Sequence, residues 1–196
     1  MFLLGLTGSI GMGKSTTAKL FAAQGCAVWD ADAAVHRLYA EGGLAVAPLS
    51  EVFPDAIEAG AVSRTRLKEI IGRDPDALRR IEAIVHPLVG EDRAAFIQNA
   101  TSDIVVLDIP LLFETGGEAR VDAVACVTID EETQRERVLA RGTMTEEQFN
   151  AIKAKQMPAA EKCARSDFVI ETDTIEHATS QVQGVVETIR KRLADA

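Results

Sequence analysis

Residues 2–16 read Phe2-Leu3-Leu4-Gly5-Leu6-Thr7-Gly8-Ser9-Ile10-Gly11-Met12-Gly13-Lys14-Ser15-Thr16, an apolar run that passes through glycine-rich residues into a helical stretch. Gly8 to Ser15 fits G-x-x-x-x-G-K-S in full, after a predicted strand and at the opening of a helix expected from about Lys14 to Gln24, with Gly25 as its stop. The glycines let the backbone curl so that successive N–H groups face inward onto phosphate oxygens, and the following helix points its positive end at the same anion. Lys14 is then the residue to reach the β- and γ-phosphates, and the Ser15 hydroxyl the ligand for Mg²⁺. Gly8, Ser9, Ile10, Gly11, Met12, Gly13, Lys14, Ser15 and Thr16 are the expected contacts for ATP. A chance glycine-rich turn is the plain alternative, and pattern and context together speak against it.

Outward from this loop, short apolar runs recur. Ala27-Val28-Trp29 ends at Asp30, and Ile104-Val105-Val106-Leu107, Val121 to Ile129 and Phe168-Val169-Ile170 have the same character, with helical patterns between them. Such runs imply an α/β fold, a parallel sheet buried on both faces and flanked by helices. The interval from about Ala33 to Asn99 is too long for a simple crossover and carries helix signals of its own. Asp74-Pro75 sets a capping carboxylate before a proline suited to a first helical position, and Pro87 is placed to open another helix after His86. An inserted helical subdomain over 33–99 is expected. Further on, Asp130-Glu131-Glu132 starts a helix that runs to Arg141 and stops at Gly142. Thr145-Glu146-Glu147-Gln148 matches a capping box, opening a second helix in a segment with several basic residues. The last helix, from about Thr174, spaces Ile175, Ala178, Val182, Val185, Ile189 and Leu193 along one face. The expected division is a nucleotide-binding core of 1–32, 100–135 and 166–196, the insertion, and a helical lid over 136–165.

The whole chain of 196 residues carries a net charge of −9, which disfavours a phosphodiester partner because nucleic-acid binding rests on Lys and Arg neutralising phosphates. Apolar residues make up 47% but no block approaches the roughly 20 needed to span a bilayer. The N-terminus has no secretion-signal character, so a soluble cytoplasmic protein is expected. Cys26, Cys126 and Cys163 are odd in number and lack metal-ligand spacing, which suggests free thiols. No heptad points to an oligomer, so a monomer is expected.

Holding a polyphosphate is shared by kinases, GTP switches, transport ATPases and passive binding modules. A guanine-reading N-K-x-D tetrad is absent. Asp30-Ala31-Asp32 stands at the carboxyl edge of the sheet, where open α/β folds bind ligands, and phosphoryl transfer to an alcohol needs a group to orient or deprotonate the hydroxyl. Asp32 is the candidate base and Asp30 the more structural of the pair, with helix capping the bland reading for either. Asp108 closes the third strand where an acid binds Mg²⁺ directly or through water, or serves only as a turn residue. Arg137 and Arg141 sit four apart on one helical face, to clamp phosphoryl oxygens or to form a salt-bridge face with Glu131 to Glu136. Leu111, Leu112 and Phe113 either pack inward or line an acceptor pocket.

The order of Gly5 to Thr16, Asp30-Ala31-Asp32, His86-Pro87-Leu88-Val89, Ile109-Pro110-Leu111-Leu112-Phe113-Glu114 and Gln156 before Asp167-Phe168-Val169-Ile170 resembles the dephospho-coenzyme A kinases over nearly the whole chain. The resemblance implies transfer of the ATP γ-phosphoryl group to the ribose 3′-hydroxyl of dephospho-coenzyme A, the last step of coenzyme A synthesis. It puts Asp32 on the base, Lys14 and Ser15 on the phosphate and Mg²⁺ positions, Arg137 and Arg141 on lid arginines, and Arg64, His86 and Leu111 to Glu114 on the acceptor side. Ser9 and Met12 depart from the family's usual glycine and serine. A kinase for another small alcohol and a slow nucleotide-sensing module are the rival readings.

Overall fold

The computed structural model describes residues 1–195. In chain order the elements are β1 (Phe2–Thr7), α1 (Lys14–Ala23), β2 (Ala27–Asp30), α2 (Ala31–Tyr39), α3 (Val46–Val52), β3 (Ile57–Glu58), β4 (Ala61–Val62), α4 (Arg64–Arg73), α5 (Ala77–Asn99), β5 (Ile104–Asp108), β6 (Ala123–Thr128), α6 (Glu131–Ala140), α7 (Glu146–Lys153), α8 (Ala159–Ala164), β7 (Phe168–Glu171) and α9 (Ile175–Ala194). Met1–Trp29 with Ala100–Ala196 packs as one compact unit, and Asp30–Asn99 as another.

The first unit is built on a five-stranded sheet of order β2-β5-β1-β6-β7. β1 pairs in parallel with β5 and β6, and β6 with β7. Its strands are apolar along their length because helices cover both faces. Leu4, Leu6, Val106, Ala125 and Val127 form a core with Phe21 of α1 and Val182 and Ile189 of α9. Each large side chain buried this way stabilises the fold by roughly 1.5–3 kcal/mol. The stripe expected on α9 is present from Ala178 to Leu193, which is partly buried against the same core, whereas Ile175, in the first turn, is exposed. Thr145 and Gln148 make the expected capping box on α7. α6 runs unbroken across positions 135 and 136. The register brings Leu6 opposite Asp108, so the end of β5 lies level with the start of the loop after β1.

The second unit is mostly helical, with a two-stranded antiparallel hairpin, β3–β4, that the sequence pattern did not suggest. Leu38, Leu49, Phe53, Leu67, Ile81 and Val85 make its core. Two expectations are corrected here. Pro87 does not open a helix but lies inside the 23-residue α5. The missing N–H costs one intrahelical bond, and Ile81 and Val85 before it, with Leu88 and Val89 after it, pack into the same core and hold the helix through. Asp74-Pro75 forms a turn in which the Asp74 carboxylate accepts from the Asp76 N–H (2.9 Å), and α5 starts at Ala77.

Cys26 and Cys126 are buried and Cys163 half-buried, all three as free thiols. Burial pushes the Cys26 thiol up to about 11 and that of Cys126 to about 12, so neither supplies a thiolate near neutral pH. Among the described residues no helix is long and apolar enough to cross a membrane.

Candidate active site

The loop between β1 and α1 has the conformation its sequence calls for. Gly11 and Gly13 adopt φ of 79° and 86°, the left-handed region that glycine enters without strain. Ser9 needs no such conformation, and the Met12 side chain is buried in the sheet core, which accounts for both departures from the usual loop residues. Gly13 is the residue before α1, and its carbonyl accepts from the N–H groups of Thr16 and Thr17. Among the described residues no side chain caps this helix.

The Lys14 ammonium pairs with the Asp108 carboxylate, which is only 1% exposed. A carboxylate so deep in a parallel sheet needs a counter-charge, and the register of β1 against β5 puts Lys14 there. Ser15 and Thr16 are exposed on the first turn of α1. The Ser15 hydroxyl and the Asp108 carboxylate are hard oxygen donors, the chemistry that Mg²⁺ takes, and a Mg²⁺ carried on a polyphosphate needs only one or two protein ligands.

Asp30 caps α2, its Oδ1 accepting from the Ala33 N–H (2.9 Å), which is the structural role expected for it. Asp32 stands in the first turn of the same helix. In the second unit Arg64 opens α4 with its guanidinium 5.8 Å from the Tyr39 ring centroid, and His86 is exposed on α5.

Arg137 makes no ion pair with the acids of α6. It donates to the hydroxyl (3.1 Å) and the carbonyl (2.7 Å) of Thr172, just beyond β7. The Thr172 hydroxyl in turn donates to the Met12 carbonyl (2.9 Å), so Arg137 buttresses the glycine-rich loop through one threonine. Arg141, at the end of α6, lines a cavity of about 140 Å³ with Arg137, Gly11, Gly13 and Thr16. Two of the acids of α6 and α7 have other bases: Arg135 pairs with Glu146 (2.6 Å) and Lys153 with Glu131 (2.9 Å), tying the two helices together.

The segment after β5 is largely committed to structure. Leu112 is fully buried and Phe113 nearly so, with the Arg165 guanidinium 4.6 Å above the Phe113 ring. Leu111 is 42% exposed. Glu114 pairs with the wholly buried Lys162 (2.8 Å) and accepts from the Met157 N–H (2.9 Å), while Lys162 also donates to the Pro110 carbonyl (3.3 Å). Burial alone would raise the Glu114 carboxyl, but the Lys162 hydrogen bond and the backbone donors outweigh it and hold the group below its ordinary value.

Sequence reasoning missed Lys162, Thr172 and Gln134 as members of this site. Nothing local marks them: a lysine in a basic segment, a threonine after a strand and a glutamine on a charged helix acquire their roles only from contacts 52, 160 and 124 residues away.

A sequence model of the dephospho-CoA kinase family matches residues 2–177. A dephospho-CoA kinase from Ruegeria pomeroyi is 70% identical over 189 residues, 96% of each chain. A crystal structure from Thermus thermophilus superposes with a TM-score of 0.85 at 33% identity, covering 95% of this chain and 96% of that one. The dephospho-CoA kinase of Campylobacter jejuni shares the fold, with a TM-score of 0.71 at 23% identity over 96% and 97% of the two chains.

Proposed function

This chain belongs to the dephospho-CoA kinase family, and we propose that it transfers the γ-phosphoryl group of ATP to the ribose 3′-hydroxyl of dephospho-coenzyme A, releasing coenzyme A and ADP in the last step of that synthesis. The observation that carries the reading is the Lys14–Asp108 pair at the head of α1, set within a chain that matches the family over nearly its full length. In our assignment the loop residues 8–16 hold the ATP phosphates by backbone N–H groups and the positive end of α1. Lys14 leaves Asp108 for the β- and γ-phosphates and draws charge off the transferring group. Mg²⁺, held by Ser15 and by Asp108 directly or through water, would neutralise charge on the polyphosphate. Asp32 accepts the proton of the attacking hydroxyl, because a carboxylate in the first turn of a helix directly after a sheet strand faces the ligand edge of such folds.

Arg137 and Arg141 act on the nucleotide from α6, a reading supported by the cavity they line beside Gly11, Gly13 and Thr16. On the acceptor side Arg64, His86 and the exposed Leu111 are the assigned contacts. Phe113 and Glu114 shape that segment from beneath, in keeping with the burial of the first and the ion pair of the second. We read residues 33–99 as the acceptor-binding insertion and 136–165 as the lid of a monomeric, cytoplasmic enzyme. Incubation with Mg-ATP and dephospho-coenzyme A, with mass detection of the product, tests the assignment. Coenzyme A and ADP in equal amounts are expected, and no product overturns it.

A further inference from the structure

The peptide groups of Ile10 are held from both sides by glutamines of other elements. Gln134 of α6 donates from Nε2 to the Ile10 carbonyl (2.7 Å), and Gln156, between α7 and α8, accepts from the Ile10 N–H at Oε1 (3.2 Å). Gln134 is fully buried, and its own Oε1 has no hydrogen-bond partner among the described residues. An orphaned buried acceptor is destabilising, so an apolar residue of the same shape would serve packing better. Its amide has a purpose other than stability.

Peptide geometry supplies that purpose. Among the described residues no peptide bond is cis, so within each unit the C=O and the following N–H point in opposite directions. With the Ile10 carbonyl turned onto Gln134, the Gly11 N–H is turned away from α6. The same logic applies two residues on, where the Met12 carbonyl accepts from Thr172 and directs the Gly13 N–H oppositely. Val138, one helical turn after Gln134, closes the grip, since a Cβ on Gly11 would lie 2.4 Å from its Cγ2. α6 therefore fixes the loop at Ile10–Gly11 by one hydrogen bond and one close contact, and Gln156 fixes the same residue from the α7–α8 turn.

We propose that Gln134 and Gln156 are positioning residues that clasp Ile10, Gln134 by orienting the Gly11 N–H toward the ATP phosphates and Gln156 by tying the α7–α8 turn to the phosphate-binding loop. This rests on the reading of residues 8–16 as the phosphate cradle. The two glutamines use opposite ends of their amides, and this yields a discriminating test. Gln134 must donate, so a carboxylate cannot replace it. Gln156 must accept, so a carboxylate can.

The experiment is steady-state kinetics of the full chain with Q134E, Q134M, Q156E and Q156M, varying ATP and dephospho-coenzyme A separately, with thermal unfolding as a control. Loss of one hydrogen bond that orients a donor onto a charged ligand corresponds to a rise of about 10-fold or more in the KM for ATP. That rise is expected for Q134E, Q134M and Q156M, with the KM for dephospho-coenzyme A within about twofold of wild type, whereas Q156E is expected to stay within about threefold for both substrates. Q134M is expected to unfold close to wild type, because it removes the orphaned acceptor while leaving the Ile10 carbonyl without its donor. If Q134M keeps the wild-type KM for ATP, or if Q134E and Q156E are impaired equally, the clasp is overturned. Should Q134E fail to fold, Q156E against Q156M makes the same decision for the other arm, and equal values overturn it. Wild-type protein that forms no coenzyme A instead overturns the functional reading beneath it.

Discussion

Lys14 and Asp108 stand 94 residues apart in the chain and form an ion pair in which the carboxylate is almost wholly buried. In our assignment the loop lysine thus has two calls on its charge, Asp108 and the polyphosphate. Lys14→Ala is expected to lower transfer by about 10²–10³-fold or more, the scale seen when one preorganised donor is removed from a developing negative charge. It also breaks the Lys14–Asp108 ion pair from one side, and losing one member of a buried pair costs about 3–5 kcal/mol. The double variant Lys14→Ala with Asp108→Asn should therefore regain stability in chemical denaturation without regaining activity.

Asp32 bears the proton transfer in our assignment. Asp32→Asn is expected to reduce turnover by about 10²–10⁴-fold. ATP affinity, measured by calorimetry, should not change. Near wild-type turnover in this variant would remove Asp32 from the chemistry and leave it as a residue of the first turn of α2.

Thr172 joins Arg137 to the Met12 carbonyl. Thr172→Val keeps the shape but leaves that carbonyl and one guanidinium N–H without their partner, an expected loss of about 1–3 kcal/mol in stability. Because the Met12 carbonyl helps set the loop, the KM for ATP should rise in the same variant, and Thr172→Ser should restore both properties.

Glu114 and Lys162 give the fold a pH dependence of known sign. The folded-state Glu114 carboxyl lies below its ordinary value of 4.5, so its contribution is complete above that value and is lost as pH falls through the lower folded one. Lys162→Met should lower the unfolding midpoint at neutral pH, at the low end of the ~3–5 kcal/mol for a broken buried pair, since Glu114 keeps some contact with solvent. Between pH 7 and pH 4 the difference from wild type should narrow as Glu114 protonates in the variant. A constant difference across that range would assign the effect of Lys162 to packing.

What the residues from Phe2 to Thr16 settled by themselves was the class of fold, because a strand, a glycine-rich turn and a helix are local patterns with a local cause. The capping of α2 by Asp30 and the capping box of α7 were legible for the same reason: each bond spans three residues. The hairpin β3–β4 was too short to leave an alternating pattern, and the continuity of α5 through Pro87 was decided by packing on both sides of the proline. The partners of Ile10, Met12 and Glu114 were beyond sequence reading. Gln134, Thr172 and Lys162 reach them only after β1, β5, β6 and β7 are set in register, and a side chain's role in such a contact depends on which backbone group the sheet brings to it rather than on its neighbours in the chain.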